Sequence, residues 1–182
     1  MIIKNKQKEK QMTRTQWFCE QLSNSMTGFV WAVECISTEH WHSLPPRPSW
    51  LGQWNLAHHV FHMQYQERYV VQASIKDLLR LPLAIGERPG EEGAWQQEQR
   101  SVEELLQQFQ TFRHQTIELI STLSEDEWEK PREEAFWNKP LTIQWTVTKA
   151  WQHTLEHTHD VLRLHLFWDA AAYLDAHPEE IH

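Results

Sequence analysis

Residues 101–123 read SVEELLQQFQTFRHQTIELISTL. Ser101 followed three residues later by Glu104 is a capping box, so a helix opens there. Behind it Val102, Leu105, Phe109, Phe112, Thr116, Ile120 and Leu123 recur at spacings of three and four. That is the period of a helix with one buried face. Such a stripe has to be covered by other helices.

The same period recurs on both sides of this segment. Phe18, Leu22, Met26, Phe29, Val33 and Ile36 predict a first helix over 13–37. Leu44-Pro-Pro-Arg-Pro48 stops it. A second helix is expected from Ser49 to Leu79, with Leu51, Asn55, His58, His62, Tyr65 and Tyr69 on one face. Residues 80–100 hold two Pro and three Gly and read as a long loop, a class that often carries function. After a short helical turn at Ser124–Glu127 and a connection to Pro140, a fourth helix is expected over Thr142–Trp168, with one more turn around Ala170–Ala176. Four long helices make an all-α four-helix bundle over 13–182. Residues 1–12 read as a solvated leader.

The chain has 182 residues and 40% hydrophobic residues, enough for one domain with a real core. Its net charge is -8, from 17 basic and 25 acidic residues. No basic stripe follows the first fourteen residues, which argues against a nucleic-acid partner. No apolar run reaches the ~18 residues a membrane span needs, and the start lacks the apolar stretch of a signal peptide. A cytoplasmic location is therefore expected. Cys19 and Cys35 fall on one predicted helix about four turns apart, too far to bridge, and read as reduced packing residues. The 11 Trp and 12 His are unusual for this length, and the Trp supply large packing surfaces that can also line a cavity.

The chemistry resides in the histidines. In Trp151-Gln-His-Thr-Leu-Glu-His-Thr-His-Asp160, His153 and His157 are four apart and project from one helical face. Two imidazoles one turn apart reach a single ion. A third ligand has to come from another helix, and His58-His59-Val-Phe-His62 supplies candidates. His58 and His62 share a face; His59 is rotated from His58 by about 100°. A single core-facing His is usually a hydrogen-bonded packing residue, but two His-rich clusters on separate core helices are what a bundle uses to build a metal site. Thr154 stands where a zincin has its catalytic Glu, so a metalloprotease is not expected.

Four stretches resemble the DinB-like superfamily, which also includes YfiT-like metal-dependent proteins. They are Trp50-Leu-Gly-Gln-Trp-Asn-Leu-Ala-His58, Ser101 through Asp126, Leu141-Thr-Ile-Gln-Trp145 and His153-Thr-Leu-Glu-His157. The resemblance implies an up-down-down-up bundle holding one ion with three His. By position these are His58, His153 and His157. It departs from the family three residues after the last ligand, where relatives often carry Gln and this chain has Asp160. Asp160 is the acid nominated to orient a ligand or act in catalysis.

Imidazole ligands suit zinc, nickel, iron and copper; a divalent ion is expected here, zinc or nickel foremost, with iron or manganese next. Three His leave positions open, which marks a catalytic site. The resemblance implies transfer of a low-molecular-weight thiol to an electrophilic small-molecule substrate. Hydrolysis by activated water and a non-catalytic metal-binding role are the alternatives. A homodimer suits a small bundle with aromatic surface.

Overall fold

The computed structural model describes residues 12–46, 52–82, 88–134 and 139–177. Four long helical rods dominate. They are α1 (Arg14–Glu34), a rod made of α2 (Leu56–Gln66), a π-helical turn (Glu67–Val71) and α3 (Gln72–Leu78), then α5 (Val102–Ser121) and α7 (Ile143–Ala176). Two short helices, α4 (Glu91–Gln96) and α6 (Glu125–Trp128), lie in the connections. A small antiparallel hairpin pairs β1 (Arg132–Glu134) with β2 (Lys139–Leu141).

The rods start where side chains satisfy free backbone donors. Thr13 and Ser101 form capping boxes with Gln16 and Glu104. The Asn55 side chain accepts from the His58 N–H at 3.0 Å, and Thr142 accepts from Trp145 N–H at 3.1 Å. The Asn55 cap delays the second helix from the expected Ser49 to Leu56, and Trp54 therefore lies ahead of it. Residues 47–51 lie outside the described residues. Two further expectations change. The 80–100 segment is not all loop, since α4 forms within it. The fourth helix continues unbroken to Ala176.

Side-chain contacts give each rod its direction. Thr15 Oγ1 donates to the Leu123 carbonyl, while Phe29 meets Phe109 at 5.4 Å, so α1 and α5 are antiparallel. Arg14 bonds Gln144 and Trp17 packs on Trp151, so α1 and α7 are parallel. Phe61 and Tyr65 lie near Arg100, whereas Lys76 and Leu79 lie near Leu119 and Thr122, so the α2–α3 rod runs parallel to α5. His62 faces His153 and Val71 faces Thr146, so the same rod is antiparallel to α7. The arrangement is up-down-down-up. Parallel neighbours force the chain between α3 and α5 to return along the bundle, which accounts for the length of that connection and places α4 beside α2.

The core divides into two apolar halves. Phe29, Phe61, Tyr65, Phe109 and Val161 belong to one, and Leu22, Ile75, Ile120, Trp128 and Val147 to the other. A buried polar layer separates them. Arg113 Nη2 bonds Glu67 Oε2 at 2.8 Å and Thr154 Oγ1 at 2.9 Å, and Thr116 donates to Glu67. Arg113 and Glu67 are each 1% exposed. Arg113 Nε and Nη1 have no partner among the described residues. Breaking such a pair strands a charge, whereas replacing both partners with apolar groups does not. Glu67→Leu is therefore expected to lower stability by about 3–5 kcal/mol. Adding Arg113→Met should recover most of that loss, as read by urea unfolding.

Candidate metal centre

All ten residues Leu56–Tyr65 of α2 are buried, because α5, α7, α4 and Trp54 surround the helix. Its three histidines are thus all inside, and their direction around the helix decides their roles. His59 and His62, three apart, both face α7. His62 Nε2 lies 3.0 Å from His153 Nε2, and His59 Nδ1 lies 2.9 Å from His157 Nδ1. His157 Nε2 is 3.1 Å from His153 Nε2. The Nε2 groups of His62, His153 and His157 therefore converge on one point between α2 and α7.

His153 and His157 come together as their spacing predicts. The third member is His62. His58, the resemblance's choice, turns away: its ring lies between Trp54 at 4.2 Å and Trp95 at 4.4 Å, both stacked on it. Among the described residues no group of three closely spaced donor atoms includes His58. Trp54 also stacks parallel to His157 at 5.9 Å and so covers the histidines from one side.

Glu91 was not among the sequence candidates. It opens α4, and its carboxylate bonds His62 Nδ1, while Gln66 Nε2 holds its second oxygen at 2.9 Å. Tyr65 fixes the approach by donating to the Pro89 carbonyl and accepting from Arg88 Nε. Pro89-Gly90 ahead of two glutamates was a legible helix-start signal inside the apparent loop. Burial alone would raise the Glu91 carboxyl, but the hydrogen bond and charge of His62, with Gln66 and Arg88, hold it below its ordinary value.

The electrostatics keep the other imidazoles neutral. Burial, with His62 adding to it, pushes His59 and His153 down to about 4 and His157 to about 2. Ionised Glu91 can only accept, so His62 keeps a proton on Nδ1, and the tautomer able to bind a metal presents a bare Nε2. With the His157 proton on Nδ1 toward His59, its Nε2 is bare too. With His153 protonated on Nδ1 as well, three bare Nε2 groups face one another, His153 lying 3.0 and 3.1 Å from the other two, and a cation between them stabilises that arrangement. Tetrahedral zinc with bonds near 2.0–2.1 Å holds its nitrogens about 3.3 Å apart. The donor set fits a divalent ion with a shift of a few tenths of an ångström.

Asp160 sits one turn beyond His157. It groups with His59 and His157 and with them borders a surface cavity of about 270 Å³ that also touches Trp54. Its Oδ1 is 3.7 Å from Arg163. It has no place in the His62, His153 and His157 group.

A family model described as the DinB superfamily matches residues 21–161. The chain belongs to the DinB superfamily. Among solved structures it is similar to that of YfiT from Bacillus subtilis, described as "a probable metal-dependent hydrolase with an unusual four-helix bundle topology". The TM-score is 0.62 at 15% identity, over 85% of this chain and 89% of that one. That likeness shows the fold. No curated protein matches by sequence. No helix among the described residues is long and apolar enough to cross a membrane.

In this DinB superfamily member Glu91 is the carboxylate behind the candidate ligand His62, and carboxylates behind ligating imidazoles typically account for 10–100-fold in metal affinity. Glu91→Ala is expected to weaken zinc binding by about that range. Competition against a chromophoric chelator measures it.

Proposed function

We propose that this protein is a metal-dependent enzyme that transfers a small thiol to an electrophilic substrate. The observation carrying this reading is the convergence of His62, His153 and His157 through Nε2, with Glu91 behind His62. These three side chains would hold the ion, with zinc or nickel favoured by an all-imidazole set and iron or manganese next. A divalent ion in such a site lowers the pKa of a small nucleophile so that it reacts near neutral pH.

The remaining work falls to the chain itself. Glu91 orients His62, and His59 orients His157 from the opposite side. Trp54 excludes water on the covered face. Two carboxylates approach the histidines, and both are engaged: Glu91 with His62 and Gln66, Asp160 with Arg163. A thiol, with pKa near 8.5, needs less help from a base than water does. That difference favours a thiol over water as the nucleophile.

Hydrolysis is the second reading. YfiT is described as a probable metal-dependent hydrolase, and Asp160 beside His59 and His157 is the residue that would serve as its base. The two separate on one requirement. Zinc- and nickel-loaded protein is given a chlorinated aromatic electrophile with and without a panel of low-molecular-weight thiols. Turnover that needs both metal and thiol, and survives Asp160→Asn, is the expected result. Metal-dependent turnover without any thiol, lost in Asp160→Asn, would assign hydrolysis instead.

A further inference from the structure

A second cavity meets the histidine cluster from the side opposite Asp160. It is a recess of about 240 Å³ between the α2–α3 rod and α7, and His153 forms part of its wall. Gln66, Val70 and Val71, from the end of α2 and the π-helical turn, form one side. Trp145, Lys149 and His153, at successive turns of α7, form the other. A π-helical turn is rare and tends to occur at functional sites; here it supplies two apolar wall residues.

The recess has a defined polarity. Its walls are mainly apolar, but Lys149 lies on its border with no ion pair among the described residues. Lys149 and His153 are four apart on α7, so they stand one turn apart on the face that borders the recess. Lys139, on β2, places its ammonium 5.9 Å from the Trp145 ring centre. Of the residues lining the recess, Lys149 alone is cationic and none is acidic, on a chain of net charge -8. At roughly 30 Å³ per water the space equals about eight waters, below the 300–1,000 Å³ of drug-sized sites.

We propose that this recess binds a small, mainly apolar molecule carrying one anionic group, with Lys149 receiving the anion and the rest of the molecule lying along Val70, Val71 and Trp145 toward His153. The inference rests on the three-histidine reading only for the direction in which the reactive end of a substrate would point. It thereby gives the substrate class: aromatic or branched aliphatic acids rather than neutral or purely polar compounds.

The probes are benzoate, its neutral counterpart benzamide, and acetate. Binding to the full chain is followed by tryptophan fluorescence and by chemical-shift changes, in zinc-loaded and metal-free samples whose metal content is measured separately. Benzoate is expected to bind both forms more tightly than benzamide or acetate. Lys149→Gln should weaken benzoate about fivefold, the upper end for a solvent-facing ion pair, and leave benzamide unchanged. Val70→Phe, which fills the recess from a half-buried position, should abolish binding of both without changing metal content. Should the zinc-loaded sample keep no zinc, lysine-dependent benzoate binding would still uphold the recess, and the metal reading alone would fail. Equal binding of benzoate and benzamide, insensitivity to either substitution, or no benzoate binding to metal-free protein would overturn the proposal.

Discussion

The antiparallel contact between α2 and α7 is the constraint on which the site depends. It sets His59 opposite His157 and His62 opposite His153, so residues three apart on one helix meet residues four apart on the other. Shifting either helix by one residue would rotate its histidines by about 100° and break the convergence. Two features hold this register. The buried Glu67–Arg113 pair ties the α2–α3 rod and α5 to α7 through Thr154, which lies between His153 and His157 in sequence. The α4 connection, anchored through Tyr65 to Pro89, fixes Glu91 above them. The topology serves the site because a parallel α2–α5 pair requires the long return connection that carries Glu91.

Much of the fold was legible in the sequence because single-faced helices advertise themselves. The α5 stripe and its capping box needed no tertiary information, and His153 and His157 fell on one inner face for the same reason. The α2 histidines were harder. A helix covered on all sides buries every residue, so periodicity gives no preferred face among His58, His59 and His62. Position relative to the family motif pointed to His58. The Asn55 cap, two tryptophans that sandwich His58 and the register with α7 turn His62 inward instead. None of those three is visible one residue at a time.

Glu91 and Arg113 were missed for different reasons. Glu91 lay in a stretch whose Pro and Gly content outweighed a short helix-start signal. Arg113 is four after Phe109 and three before Thr116, on the inner stripe of α5, and only its charge argued for the surface. Its burial follows only from Glu67 meeting it across the bundle. Polar residues that are buried in pairs are invisible to hydrophobic periodicity, since each member alone breaks the pattern.

We propose that one divalent ion is held by His62, His153 and His157 rather than by His58. Zinc content after loading and desalting, measured on wild type, His62→Ala and His58→Ala, tests it most directly. About one equivalent in wild type, loss in His62→Ala and retention in His58→Ala are expected of such a three-ligand site. Loss in His58→Ala with full retention in His62→Ala would contradict it.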